Sequence, residues 1–184
     1  MMKKVLIILF TSSMPLLYAP PFSQMPAKQA LTTALKQIKN DKLDFSIEIP
    51  ENWEVVDQNL GVDLVGLAPL SDSDLFRENF NVLSVKLDFP LTRQEYYDYN
   101  LKSLSQLLDD FDLENSEDVK IGNVNARKII FTHTMGVVNA KVLQYLMLIN
   151  NKAYVMTFTA ARLDFDKVRP EFEQIANSLK FIPK

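Results

Sequence analysis

His133 is the single histidine in a chain of 184 residues that also carries 23 Asp and Glu side chains and no cysteine. A Ser–His–acid triad would have to use it, yet His133 sits in "KIIFTHTM", a run that reads as a strand, with no acyl-transfer motif elsewhere. The expected role is a hydrogen-bonded histidine of a sheet. Zinc prefers clustered His and Cys ligands, and the composition offers no such cluster. The four glycines, Gly61, Gly66, Gly122 and Gly136, match neither a phosphate loop nor a dinucleotide fingerprint.

The acids are more suggestive. Asp109, Asp110, Asp112, Glu114, Glu117 and Asp118 crowd ten residues, and hard cations take oxygen ligands. The EF-hand spacing with its central glycine is missing, so a solvated helix exit is the expected structure. Paired carboxylates for glycoside hydrolysis are conceivable among 23 acids, but nothing selects a pair. No catalytic residue, metal ligand or cofactor is therefore assigned, and a non-enzymatic role is expected. A carboxylate-based hydrolase remains the alternative.

Two stretches are candidates for partner contact. The loop "SDSDLFRENF" presents Asp72, Asp74, Arg77 and Asn79, and loops on a rigid scaffold are where partners are met. The segment from Thr92 to Leu108 reads as a helix with Tyr97, Leu101, Leu104 and Leu108 on one stripe. At about 100° per residue this leaves Glu95, Tyr99, Lys102 and Gln106 on the opposite, exposed face.

The elements that position these residues follow from periodicity. Residues 1–19, "MMKKVLIILFTSSMPLLYA", have the basic, apolar and small-residue layout of a secretory signal, with an apolar run too short for a bilayer span. Pro20 disfavours a cut after Ala19, so an N-terminus further downstream or a retained leader is expected. Loss of Lys3 and Lys4 would leave 18 of the 20 basic residues against 23 acids, a balance of −5. That sign disfavours nucleic acid and anionic membrane as partners. With no cysteine there is neither a disulfide framework nor a lipoprotein anchor.

Residues 20–42 are expected to form a proline-rich linker and a short amphipathic helix, with Leu31, Ala34, Leu35 and Ile38 at i, i+3, i+4 and i+7. From residue 43 the period changes to two. Phe45, Ile47 and Ile49 alternate with polar residues up to Pro50, "ENWEVV" and "GVDLVGLAPL" are further strand candidates, and Leu83, Val85, Leu87 and Phe89 give another. Thr92 and Glu95 make a capping box for the middle helix. Three strands joined by Gly or Asn turns come next, running through "KAYVMTFTA". A last helix turns Phe165, Val168, Phe172, Ile175 and Leu179 inward.

The ordered combination of "FSIEIPENW", "NVLSVKL", the capped helix and "NNKAYVMTFTA" before "FEQIANSLKF" resembles the PsbP-like family, over roughly residues 43 to 183. That family includes an extrinsic photosystem II protein, a Ran-binding nuclear import factor and bacterial DcrB-type proteins. The resemblance implies a domain over 43–184 of α+β class, a mostly antiparallel sheet covered by helices on both faces. In such a sheet Thr157 and Thr159 can be buried with locally bonded hydroxyls, while Tyr154, Met156 and Phe158 face the other layer. It also implies an exported, non-catalytic interaction or assembly protein that binds another envelope protein. A chaperone-like cytoplasmic member with an uncleaved N-terminus is a further alternative.

Overall fold

The computed structural model describes residues 34–39, 44–56, 61–70 and 76–182. The expected leader and most of the expected linker lie outside these residues, as do Asp72 and Asp74. Two antiparallel sheets and two helices make up the described fold. The smaller sheet has the order β1 (Leu35–Ile38), β2 (Phe45–Pro50), β10 (Lys180–Phe181). The larger has seven strands in the order β3 (Glu54–Val56), β4 (Leu64–Leu67), β5 (Asn79–Lys86), β9 (Lys152–Ala161), β8 (Val138–Ile149), β7 (Val124–Met135), β6 (Asp109–Ile121). Helix α1 (Arg93–Leu107) lies between β5 and β6, and α2 (Phe165–Asn177) between β9 and β10.

Local sequence accounts for much of this. Thr92 accepts from the Glu95 backbone N–H and the Glu95 carboxylate accepts from the Thr92 N–H, the reciprocal cap that starts α1. Asn150 and Asn151 join β8 to β9 with φ of 48° and 60°, the pair of left-handed residues that a tight hairpin turn demands. Asn151 then clasps the end of β5, its Nδ2 donating to the Leu87 carbonyl at 2.9 Å.

Two apolar clusters divide the core. One joins Tyr154, Met156, Phe158 and Ala160 of β9 to Phe165, Phe172, Ile175 and Ala176 of α2, and to Phe45, Ile47 and Ile49 of β2. The other joins Ala153 and Val155 of β9 to Tyr96, Tyr97 and Leu104 of α1 and to Ile129, Phe131, Val142 and Leu146. Even and odd positions of β9 thus go to different clusters, as the pleat requires. Thr157 and Thr159 are buried, and Thr157 Oγ1 accepts from Gln144 Nε2 at 3.0 Å.

Three expectations are corrected. Leu35–Ile38 is not helix but the strand β1, in register with Ile47–Pro50. A short isolated helix is marginal in water, whereas four ladder positions, and Lys36 Nζ donating to the Trp53 carbonyl at 2.6 Å, are available to the strand. The strand after the acidic loop ends at Lys86, so Phe89 lies beyond it and is exposed.

The acidic tract is not a helix exit either. It forms most of β6, a 13-residue edge strand paired with β7. Cations across the ladder and beyond it make this possible: Lys128 lies 3.3 Å from Glu117, Arg127 3.4 Å from Asp118 and Lys141 2.8 Å from Glu114. Register shifts between Asp109 and Asp112 and between Leu113 and Asn115 change the phase of the strand. Phe111 and Leu113 therefore pack on the α1 cluster and Val119 on the α2 cluster, which hides the period of two from a reading along the chain.

Two carboxylates tie layers together and make stability pH-dependent. Burial alone would raise the Asp44 carboxyl, but hydrogen bonds from Lys152 and Tyr154, both at 2.7 Å, outweigh it and hold its pKa below the usual value. Glu173 is held low in the same way, with Arg169 at 2.9 Å and Lys128 at 3.1 Å overcoming its desolvation. A carboxylate whose folded pKa is depressed contributes stability above its unfolded value, and that contribution is lost as pH falls through the folded one. The urea midpoint should therefore fall as pH drops below about 4, and Asp44→Asn should flatten that limb of the profile. An unchanged slope in Asp44→Asn would refute the assignment.

Candidate functional site

The described residues that look least occupied with holding the fold lie at one end of the large sheet. β7 and β8 turn there through Gly136 and Val137, Gly136 at φ 61°. The neighbouring connection is Arg162–Asp164, between β9 and α2, and Arg162 N donates to the Asn139 carbonyl at 2.9 Å. The end of α1 joins them. Leu108 N donates to the Leu104 carbonyl, the chain enters β6, and Asp110 accepts from Thr134 Oγ1 at 2.7 Å, one residue before Met135.

Each of these three connections projects a bulky apolar side chain: Leu107 at 66% exposure, Val137 at 102% and Leu163 at 90%. Leu70, past the end of β4, leaves the sheet at the same end, because β4 Leu67 pairs with Asn79 and Asn79 with Thr159. Exposed Asp109, Asp110 and Asp112 border the Leu107 side. Glu114 lies 2.8 Å from Lys141 and 3.9 Å from Arg162, so its charge is already matched. Arg162, also exposed, adjoins Leu163, so charges of both signs lie beside the apolar tips at this end.

His133 is near this end and does not face it. Its ring is buried, Nδ1 lies 3.2 Å from the Thr134 carbonyl oxygen and so donates to it, and Nε2 has no partner. Burial pushes its pKa down, against smaller opposing effects of the Thr134 carbonyl and Asp109. The neutral ring is a packing residue against Phe131, with ring centroids 6.1 Å apart. Among the described residues no group of three or more His, Asp and Glu is arranged to hold a metal ion, and no described helix is long and apolar enough to cross a membrane.

The residues expected at a contact surface are distributed unevenly. Lys102 and Gln106 are exposed on α1, and Gln106 adjoins Leu107 at the apolar end. Tyr99 is half-buried rather than exposed, because α1 buries Tyr96 and Asn100 as well as Tyr97 and Leu104, a wider face than the apolar stripe marks. Arg77 is held within the fold: Nε donates to the Ala68 carbonyl and Nη2 lies 2.8 Å from Glu54. Asn79 is not in the loop but is the buried first residue of β5, donating to the Arg77 carbonyl at 3.0 Å. Both residues brace the approach to β5. Val137, Leu163 and Leu107 were absent from the candidate residues. A signal existed: Val137 and Leu163 are bulky apolar residues in turns, and Leu107 stands off the helical stripe.

No protein-family model and no curated protein sequence matches the chain. Solved structures do. A cyanobacterial PsbP from Synechocystis is 18% identical and superposes with a TM-score of 0.61, covering 85% of this chain and 97% of its own. LpqN of Mycobacterium tuberculosis, described as involved in cell envelope biogenesis, is 11% identical with a TM-score of 0.62, covering 81% and 92%. The Ran-binding protein Mog1p of Saccharomyces cerevisiae is 8% identical with a TM-score of 0.61, covering 82% and 97%. At such identities the likeness is one of fold: the chain has the PsbP-like fold.

Proposed function

We propose that this chain is an exported, non-catalytic interaction or assembly protein that binds an envelope protein through the end of the sheet bearing Leu107, Val137 and Leu163. The observation that carries this reading is the convergence of three exposed apolar tips from three separate connections. Single exposed apolar side chains are ordinary on a protein surface, and it is the presence of three of them at one end of the sheet that supports a contact role here. Helices on opposite faces of the sheet belong to the same reading, supported by the two separate apolar clusters. They would leave strand ends and connections as the free surface. Export is supported by the charged and apolar layout of residues 1–19. A protein partner is in keeping with the printed description of Mog1p as Ran-binding, and an envelope setting with that of LpqN.

The test compares the wild-type protein with a Leu107→Ser, Val137→Ser, Leu163→Ser variant in affinity capture from native envelope extract. These positions are exposed, so each change is expected to alter stability by no more than about 0.5 kcal/mol. A protein captured by the wild type should be lost by the variant, and direct binding of the purified pair should weaken at least about tenfold. Equal capture by both proteins, with equal thermal midpoints, would remove this end from consideration.

A further inference from the structure

The pairing of β6 with β7 is interrupted at His133. Between Asp109, in register with Thr134, and Asp112, in register with Thr132, β6 has two residues where β7 has His133 alone. His133 therefore stands opposite a bulge formed by Asp110 and Phe111. Asp110 has a φ of 52° there, a left-handed conformation that a non-glycine residue keeps only where its surroundings hold it. The hold comes from β7, where Thr134 Oγ1 donates to the Asp110 carboxylate at 2.7 Å. Just before the bulge lie Leu107, the last residue of α1, and Leu108, whose N–H closes the helix on the Leu104 carbonyl. The seat of the α1 end thus depends on how β6 is fastened around His133.

The histidine itself is 3% exposed. Phe131, its neighbour along the same face of β7, is also 5.3 Å from Phe111 of the bulge between ring centroids, so imidazole and bulge share one aromatic group. Nδ1 donates to the Thr134 carbonyl, and Nε2 has no partner among the described residues. That suits a neutral ring. A proton on Nε2 would create a buried cation with an unmet donor, which is costly. Of the charged groups around it, β6 supplies Asp109, which favours the cation, and Asp110, engaged by Thr134. On β8 its register partner is Ala140, Lys141 is matched by Glu114, and the last turn of α1 carries no base. Burial outweighs Asp109 and holds the pKa below its ordinary value. The unfolded chain then binds more protons, so stability falls as pH drops below about 6.5.

We propose that His133 is an acid-sensitive latch: a proton gained at Nε2 drives the ring from its site, opens the Asp110–Phe111 bulge and frees the end of α1 that carries Leu107. The strained Asp110 and the single Thr134 bond make this the part of β6 that yields first. The rest of the strand is fastened further along by the Glu117–Lys128 and Asp118–Arg127 pairs. Asp44 and Glu173 titrate below about 4, so the latch opens in a window where the rest of the fold keeps its ion pairs. The consequence for partner binding rests on the contact role proposed for Leu107, whereas the latch itself does not.

The full chain, labelled with ¹⁵N, is followed by NMR from about pH 7.5 to about pH 5, a range that spans the ordinary histidine value and stays above the carboxylates. The His133 ring and the backbone amides of Leu107, Asp110 and Phe111 should change together, with one midpoint below about 6.5. His133→Phe, which keeps a ring beside Phe131 and cannot titrate, should abolish that shared change, and His133→Gln serves if the phenylalanine variant does not fold. Amides of Leu107, Asp110 and Phe111 that stay in place down to pH 5 would overturn the proposal. So would a His133 ring that titrates without them, or a transition that persists in the variant. No partner enters this measurement, so its failure leaves the contact reading of Leu107 standing, and the loss of that reading leaves the latch standing.

Discussion

Phe158→Ala should cost about 3–5 kcal/mol, the range for removing a buried aromatic ring from a packed core. Phe158 has no exposed surface, and three rings meet it: Phe172 at 5.1 Å, Phe80 at 5.6 Å and Tyr145 at 6.4 Å between centroids. Phe80 and Phe158 are also register partners on adjacent strands, so the ring joins β5, β9 and α2 at one point. Trp53 extends the cluster, 5.8 Å from Phe80 and 6.3 Å from Phe172, with Nε1 donating to Glu171 at 3.0 Å. A domain's whole stability is about 5–15 kcal/mol, so this one change should take a large share of it. Gly66→Ala probes the same cluster from the opposite direction. A Cβ at Gly66 would run into the Phe80 ring, and overpacking of this kind costs about 1–3 kcal/mol. Urea unfolding at neutral pH measures both, and a cost below 1 kcal/mol for Phe158→Ala would mean the aromatic cluster is not the centre of the core.

Leu104→Ala is the second large effect, expected at about 2–5 kcal/mol. Leu104 is 0% exposed and packs among the residues of the α1 cluster. Leu101 belongs to the same stripe along the sequence but is only half-buried. Leu101→Ala should therefore cost clearly less, because the cavity left at a partly solvated site is smaller. Tyr99→Ser should fall between an ordinary surface change and Leu104→Ala, since Tyr99 keeps part of its ring covered. Urea unfolding of the three variants gives the rotational setting of α1. If Leu101→Ala proves as costly as Leu104→Ala, that setting is wrong, and so is the placement of Asn100 against the sheet.

Much of the fold was legible along the chain wherever a short-range signal was enough. The alternation of Phe45, Ile47 and Ile49, the Thr92–Glu95 cap, the Asn150–Asn151 turn and the inward stripe of Phe165, Phe172 and Ile175 each depend on residues within a few positions of one another. The PsbP-like order of these elements was legible for the same reason. β1 and β6 were not. β1 owes its state to a register with β2, and β6 to cations on β7 and β8 that lie next to its acids only after pairing.

The candidate site divides in the same way. Sequence alone determined which residues could do chemistry, and so made His133 and the acids the obvious places to look. It also determined that α1 would present Lys102 and Gln106 to solvent. Tertiary structure alone decided that Arg77 and Asn79 are internal braces and that Tyr99 is half covered. It alone brought Leu107, Val137 and Leu163, drawn from three separate connections, to one end of the sheet. The physical reason is range: periodicity and capping act over one or two turns of chain, whereas convergence is set by strand register between segments tens of residues apart.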